Sequence, residues 1–195
     1  LEEIELLEMG TGPLRELLQR LDVWDVVGIQ SPGSIQAYLE ELSKCWRAAI
    51  IHGNYLVADH QSFIGQHRDV MSVVFCPRTH SYFGHSEYPL EKMLAANVRV
   101  ALGTDSRASN PDLSMITELG FVAEEFPNVS AEQLLVSATY AGAYALGLEQ
   151  LVGAIAVGAS SRLLTVPCGD ATLDNVYQQV LENLNEFSHL RCDQM

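Results

Sequence analysis

The chain has 195 residues, of which 48% are hydrophobic and 18% charged, and its formal net charge at pH 7 is −14. This length suits a single domain, and the composition excludes a disordered chain because it can bury a core. The negative charge argues against nucleic acid as a partner, and no apolar run is long enough to cross a membrane.

The cellular compartment is indicated by the cysteines and by the first residues. The chain contains four widely spaced cysteines without a CxxC pair: Cys45, Cys76, Cys168 and Cys192. Free thiols are typical of a reducing compartment. The first five residues include three glutamates and no basic residue, so the sequence predicts no signal peptide and a cytoplasmic location.

The first part of the chain has the apolar spacing of helices. The pattern predicts one helix from Leu1 to Met9 and another that begins at Pro13. Ser34 can cap a third helix over Ile35–Lys44, whose apolar residues share one face.

Three short apolar runs after this point are predicted to be β-strands. They span Ala48–Ile51, Met71–Phe75 and Val98–Leu102, and predicted helices over Val57–His67 and Pro89–Ala96 lie between them. Strands that alternate with helices predict an α/β fold with a parallel sheet. In such folds the functional side chains collect at the carboxyl ends of the strands.

The rest of the chain is predicted to be helical up to Gly147 and to contain short β runs after it. Helices are predicted over Leu113–Phe126 and Ala131–Leu146, with Ser130 as a cap. Short β runs at Val152–Val157 and Arg162–Val166 predict a hairpin-like pair.

The predicted division of the chain is therefore into a barrel part at 1–150, a small β segment at 151–172 and a terminal region at 173–195. The last of these holds an amphipathic helix near Leu173–Phe187 and a loose tail.

Two strand ends carry residues that bind metals in proteins. His52 follows the first strand directly, and Asp105 follows the third strand, in Gly103-Thr104-Asp105-Ser106. Imidazole and carboxylate groups are ligands for zinc or iron, and a carboxylate can also accept a proton from an activated water. Each residue has a plainer alternative, a hydrogen-bonded loop histidine and an Asx turn or helix cap.

The second strand runs into Cys76-Pro77-Arg78-Thr79-His80, with His85 a few residues further on. Arg78 and His80 can hydrogen-bond an anionic or polar substrate, and the alternative is a purely structural loop. No basic helix terminus is identified near Cys76, so the sequence does not favour a nucleophilic role.

Taken together, these segments resemble the amidohydrolase superfamily, in the branch of cytosine-deaminase-like, chlorohydrolase and nucleoside-deaminase enzymes. The segments that carry the resemblance run over 50–54, 73–80, 100–110, 138–148 and 152–158. The resemblance implies a metal-binding (β/α)₈ TIM-type barrel with a small β domain, of which this chain holds strands six to eight with their helices.

The resemblance also implies roles for single residues. His52 corresponds to the metal ligand after the sixth strand, and Asp105 to the aspartate after the eighth strand that binds metal and shuttles a proton. The expected substrate contacts are Arg78, His80, Asn54 and Ser106. Phe75 departs from the pattern, because many relatives carry histidine at that position.

Other parts of the family pattern have no counterpart in this sequence. The His-x-His pair after the first strand is missing, and the histidine and catalytic glutamate after the fifth strand are expected before Leu1. We therefore expect this chain to resemble only the carboxyl-terminal part of an amidohydrolase. It should supply two ligands to zinc or iron and bind the metal weakly or not at all by itself.

Two functions are compatible with these observations. The first is a fragment of a metal-dependent hydrolase that acts on a C–N or C–Cl bond, most simply by deaminating a purine- or pyrimidine-like small molecule. The second is an inactive relative, or a fragment that works with a complementary polypeptide. The open strand edge at Ala48–Ile51 also predicts homo-oligomers, because such edges pair between chains.

Overall fold

The fold is α/β and is built around a three-stranded parallel sheet, as the sequence predicts. The computed structural model describes residues 2–25 and 33–189. The strands are β1 (Ala48–Ile51), β2 (Met71–Phe75) and β3 (Val100–Leu102), in the order β1-β2-β3. The first two have the predicted bounds, and the third begins two residues later than predicted.

The strand register brings the carboxyl ends of all three strands to one edge of the sheet. Ile51 pairs with Val74, and Phe75 pairs with Leu102. Beyond β1 the ladder continues for one more hydrogen bond, in which the backbone N–H of His52 donates to the carbonyl of Val74 at 2.8 Å. The loops that follow the strands therefore begin side by side.

Short helices surround the sheet. Those before β3 are α1 (Glu2–Met9), α2 (Pro13–Arg20), α3 (Ile35–Leu42), α4 (Ala58–Gln66), α5 (Pro77–Tyr82) and α6 (Leu90–Ala95). Those after β3 are α7 (Met115–Glu125), α8 (Ala131–Ala138), α9 (Tyr140–Ala145) and α10 (Val176–Glu182), with a 3₁₀ turn at Leu184–Glu186. Among the residues that the structure describes, no helix is long and apolar enough to span a membrane.

Local side-chain chemistry explains where several helices begin. Ser34 accepts a hydrogen bond from the backbone N–H of Ala37, and Ser130 forms a reciprocal capping box with Gln133. Both caps are confirmed. Pro77 occupies the first turn of α5, where its missing N–H costs no hydrogen bond.

The hydrophobic core lies between the sheet and helices α4, α6 and α7. Met71 and Val73 of β2 are fully buried, as are Ile64 of α4, Met93 of α6 and Val122 of α7. Each such side chain contributes roughly 1.5–3 kcal/mol when it is removed from water. β2, in the middle of the sheet, is buried at four of its five residues.

The predicted single helix over Ala131–Leu146 is wrong, because the structure divides it at Thr139. The hydroxyl of Thr139 donates to the carbonyl of Leu135 at 2.6 Å, and its backbone leaves the helical region with φ −129° and ψ −88°. Threonine side chains compete for backbone carbonyls in this way. The second helix, α9, begins directly afterwards.

The predicted pairing of Val152–Val157 with Arg162–Val166 is also wrong. Strand β4 (Leu164–Thr165) pairs antiparallel with β5 (Ser188–His189), and the residues over 152–157 form no strand. Gly153 and Gly158 have φ near +90°, which interrupts an extended backbone. The division of the chain at residues 150 and 172 stays a prediction, and the predicted tail beyond residue 189 lies outside the described residues.

At the amino ends of the strands, a cluster of charged and aromatic side chains joins β1 to α9. Arg47, directly before β1, donates to Glu149 at 2.9 Å and to the carbonyl of Tyr144 at 2.7 Å. The guanidinium of Arg47 lies 3.7 Å from the centroid of the Tyr144 ring, and that of Arg99 lies 3.2 Å from it. These contacts stabilise the end of the sheet that lies opposite the functional loops.

Two glycines provide a sharp test of the helix packing. A Cβ on Gly65 in α4 would lie 1.9 Å from the carbonyl oxygen of Ala96, so Gly65→Ala must displace backbone. We expect it to lower the free energy of unfolding by ~1–3 kcal/mol. A Cβ on Gly120 in α7 would meet nothing within 4 Å, so Gly120→Ala should raise it by ~0.5–1 kcal/mol. Urea titration measures both values, and equal stability of the two variants would contradict this packing.

Cys76, directly after β2, should be an unreactive thiol. Burial raises the pKa of Cys76 to about 12, and the negative charges of Asp105 and Glu118 add to this effect. On the order of one thiol in ten thousand is then ionised at pH 8. We expect iodoacetamide at pH 8 to label the exposed Cys45 in the native protein and Cys76 only after unfolding in urea. Peptide mass spectrometry with Cys45→Ser as control measures this, and rapid native labelling of Cys76 would contradict it.

Candidate active site

The structure brings together the two residues that the sequence predicts as metal ligands. Nε2 of His52 lies 3.8 Å from Oδ2 of Asp105, although the residues follow β1 and β3 and are separated by β2. Their side chains are 39% and 29% exposed, so both are accessible to a small molecule. An imidazole nitrogen and a carboxylate oxygen at this separation can contact the same ion.

Both residues adopt a backbone conformation that is unfavourable for residues with side chains. The φ angle is +65° at His52 and +56° at Asp105, in the left-handed region. This conformation costs roughly 1–2 kcal/mol per residue. Such strain persists only where surrounding contacts enforce it, and it is concentrated at functional sites.

The carboxylate of Asp105 accepts a hydrogen bond from one hydroxyl, which a second hydroxyl contacts in turn. Ser109 donates to Oδ2 of Asp105 at 3.3 Å, and its own oxygen lies 2.9 Å from the hydroxyl of Thr79 in α5. Both hydroxyl residues are buried. Sequence reasoning missed them. The spacing of four residues between Asp105 and Ser109 is a local signal, but no local signal connects Thr79 to either.

A cleft of about 790 Å³ opens at the carboxyl ends of β1 and β2. One side comes from α1, α2, α3 and β1 and is apolar apart from Glu2 and Glu3 of α1. The other side carries polar and aromatic side chains of the loops. The predicted site residues that line the cleft are His52, Asn54 and His80. The lining does not include Arg78, Asp105 or Ser106 within the described part of the chain.

His80 lies on helix α5. The segment Cys76–His80, predicted to be a loop, is the start of this helix. Its Nε2 lies 2.8 Å from the carbonyl of Ser86, and its Nδ1 lies 3.1 Å from the Oδ1 position of the Asn54 amide. Burial lowers the pKa of His80, and the charges of His85 and His52 lower it further. The carbonyl of Ser86 can only accept, so Nε2 of His80 carries a hydrogen and donates to it.

Further contacts join the loops after β1 and β2. The hydroxyl of Tyr55 lies 2.9 Å from Nδ1 of His85, and Tyr88 donates to the carbonyl of His52 at 2.7 Å. Tyr88 is almost fully buried, and burial raises its pKa far above the ordinary value. The position of His52 is therefore fixed from both its N–H and its C=O.

Arg78 contacts protein groups on several sides. Its Nε donates to Glu118 at 2.7 Å, and its two terminal nitrogens donate to Asp112 and to Asn110. Hydrogen bonding to Asp112, and then to Glu118, raises the pKa of Arg78, and the same bond to Arg78 lowers the pKa of Asp112. Ser106 is exposed, and its hydroxyl accepts from the N–H of Ala108 at 3.3 Å.

The donor set fits one part of a metal site. His52 and Asp105 converge, but no group of three or more histidine, cysteine, aspartate or glutamate side chains is placed to hold a metal within residues 2–25 and 33–189. A catalytic zinc site uses three protein ligands and a water. The two donors therefore suit a site that needs further ligands.

The family model that matches this chain is that of the amidohydrolase family, over residues 28–187. The 5-methylthioadenosine/S-adenosylhomocysteine deaminase of Syntrophobacter fumaroxidans is 32% identical over 168 residues, which are 79% of this chain and 35% of that protein. The deaminase of the same name from Moorella thermoacetica is 36% identical over 103 residues, 49% of this chain and 24% of that protein. The chain thus spans well under half the length of these relatives.

Solved structures show the same fold. An adenosine deaminase from Xanthomonas campestris, with bound zinc, superposes with a TM-score of 0.65 and 25% identity over 95% of this chain and 40% of that chain. Helicobacter pylori aminofutalosine deaminase gives a TM-score of 0.72 and 20% identity over 96% of this chain and 47% of that chain. The family match covers most of the sequence, and this chain belongs to the amidohydrolase family.

Proposed function

We propose that this chain is part of a metal-dependent deaminase that hydrolyses a C–N bond in a purine-like small molecule. The observation that carries the proposal is the approach of His52 Nε2 to Asp105 Oδ2, at 3.8 Å, across the carboxyl ends of the strands. The similarity to proteins named as 5-methylthioadenosine/S-adenosylhomocysteine deaminases supports this class of substrate.

The same proposal assigns the three strands to a (β/α)₈ barrel, as strands six to eight. The parallel order β1-β2-β3 with intervening helices is that of consecutive barrel units. The superposition of 95% of this chain on 40% of the Xanthomonas deaminase supports the assignment. We further propose that the edge of β1, whose Ile51 is 54% exposed, pairs with other strands of a complementary polypeptide or of a second copy.

Two side chains carry the proposed chemistry. When bound, a zinc or iron ion would activate a water molecule for attack on carbon. His52 would hold the ion through Nε2. Asp105 would hold it through one carboxylate oxygen and accept a proton from the attacking water, while Ser109 fixes the orientation of the carboxylate.

The substrate would lie in the cleft beside His52. The polar edge of Asn54 and the ring of His80 line this cleft, and Phe83 and His85 offer aromatic surface to a flat heterocycle. Substrate binding by Asn54, His80, Ser106 and Arg78 stays a prediction. The contacts of the Arg78 guanidinium support a positioning role for this residue.

The alternative is that the chain has no catalytic activity alone and acts with a complementary polypeptide. One observation favours it. The described residues bring together two metal donors, one fewer than a catalytic zinc site uses.

Zinc binding tests the proposed ligand pair. We expect residues 1–195 to bind Zn²⁺ weakly. Asp105→Asn or His52→Ala should weaken this binding by at least about 10–100-fold, because each removes one of two donors and even the loss of a residue that only supports a ligand costs that much. Isothermal titration calorimetry measures the affinity. His67→Gln is the matched control, since His67 bonds to its own helix, at the carbonyl of Phe63, and should have no effect. Tight stoichiometric binding that survives Asp105→Asn would show that other residues hold the metal.

Ammonia release tests the proposed reaction. The chain alone should release no ammonia from adenosine-like substrates, because two donors do not complete the metal site. When a polypeptide supplies the remaining strands, Asp105→Asn should lower kcat by at least about 10²–10⁴-fold without unfolding the protein. A coupled assay for ammonia and circular dichroism measure the two quantities. Ordinary turnover by the isolated chain would overturn the assignment of roles.

A further inference from the structure

Two consecutive residues of α5 hold the loop that carries Asp105. This loop, residues 103–114, is called the Asp105 loop below. The hydroxyl of Thr79 contacts Ser109, and the guanidinium of Arg78 donates to the amide oxygen of Asn110. Adjacent positions on the helix therefore contact adjacent positions on the loop, and both contacts are at least partly buried.

Glu118 in the first turn of α7 anchors this arrangement. Its side chain is fully buried, yet it carries a carboxylate. One oxygen accepts from Nε of Arg78 at 2.7 Å and from Nδ2 of Asn110 at 2.5 Å, and the other accepts from the backbone N–H of Arg78 at 3.1 Å. A buried carboxylate is tolerated only with such a set of donors.

Asn110 connects this ion pair to the backbone beside Asp105. It is 2% exposed, and its Nδ2 donates to the carbonyl of Thr104 at 2.8 Å. Thr104 directly precedes Asp105, whose φ is +56°. The amide oxygen of Asn110 also accepts from the N–H of Leu113 at 3.2 Å, which closes the loop.

We propose that Arg78, Asn110 and Glu118 form a positioning clamp that holds Asp105 in its left-handed conformation with its carboxylate facing His52. The clamp acts on backbone through Thr104, while Ser109 acts on the carboxylate itself. This inference rests on the proposed function in one respect, the role of Asp105 as a metal ligand. None of the three residues lines the cleft beside His52, so we assign them as positioning residues.

The geometry requires an arginine at position 78. Nε and the two terminal nitrogens point to three different residues, Glu118, Asp112 and Asn110. A planar guanidinium can satisfy these acceptors together, whereas the ammonium of lysine is a single point of contact on a flexible stem. Arg78→Lys keeps the charge and should still lose the clamp.

The chain contains a matched control at the opposite end of the strands. Arg47 and Glu149 form a second ion pair of the same type, at 2.9 Å, with side chains 11% and 17% exposed. Its loss should destabilise the protein without affecting the Asp105 loop. Comparison of the two pairs therefore separates positioning from general stability.

The test compares Glu118→Gln and Arg78→Lys with Glu149→Gln and Arg47→Lys, all in the 195-residue chain. The measurements are hydrogen exchange of the backbone amides at 104–110, Zn²⁺ affinity by competition with a chromophoric chelator, and Tm. We expect the clamp variants to speed exchange in the Asp105 loop at least about tenfold and to weaken Zn²⁺ binding by about 10–100-fold. The control variants should lower Tm with neither change.

Unchanged exchange at 104–110 in both clamp variants would overturn the proposal, as would equal effects on exchange in the control variants. If Glu118→Gln does not fold, hydrogen exchange at 104–110 in Arg78→Lys alone tests the proposal. Failure of the proposed function gives a different result. The wild-type chain would then show no Zn²⁺ binding that depends on Asp105, while the exchange measurement would still establish or exclude the clamp.

Discussion

The parallel pairing of β1, β2 and β3 is the constraint on which the candidate site depends. Parallel strands in register end at the same edge, so the residues that follow them share one surface even when they are far apart in the chain. β2 is buried along most of its length and fixes the spacing between its neighbours. His52 and Asp105 meet across its end because each follows an outer strand directly or within three residues.

Hydrogen bonds from buried side chains to backbone carbonyls also hold His52 and Asp105 in place. Both His52 and Asp105 have positive φ, and in each case a buried side chain donates to a carbonyl at the strained residue or directly before it. Tyr88 donates to the carbonyl of His52, and Asn110 donates to that of Thr104, directly before Asp105. Contacts of this kind offset the cost of the left-handed conformation.

Charge is distributed unevenly in this acidic protein. The net charge of −14 is carried largely by exposed carboxylates, whereas two arginines are used in nearly buried ion pairs, Arg47 with Glu149 and Arg78 with Glu118. One pair lies at each end of the strands. Breaking a buried pair leaves an uncompensated charge, so both positions should tolerate substitution poorly.

The sequence by itself determined the parts of the fold that depend on neighbouring residues. Apolar runs located the three strands, Ser34 and Ser130 located two helix starts, and the residues around His52 and Asp105 indicated the family. These signals lie within a few residues of one another, where side-chain spacing and capping act directly.

Only the tertiary structure decided which distant segments meet. It broke the helix at Thr139, paired Leu164–Thr165 with Ser188–His189, and brought Thr79 to Ser109. It also surrounded Arg78 with three acceptors. The physical reason is that hydrogen-bond partners and strand pairs form between segments whose distance in space is set by packing of the whole chain, and local sequence carries no record of that distance.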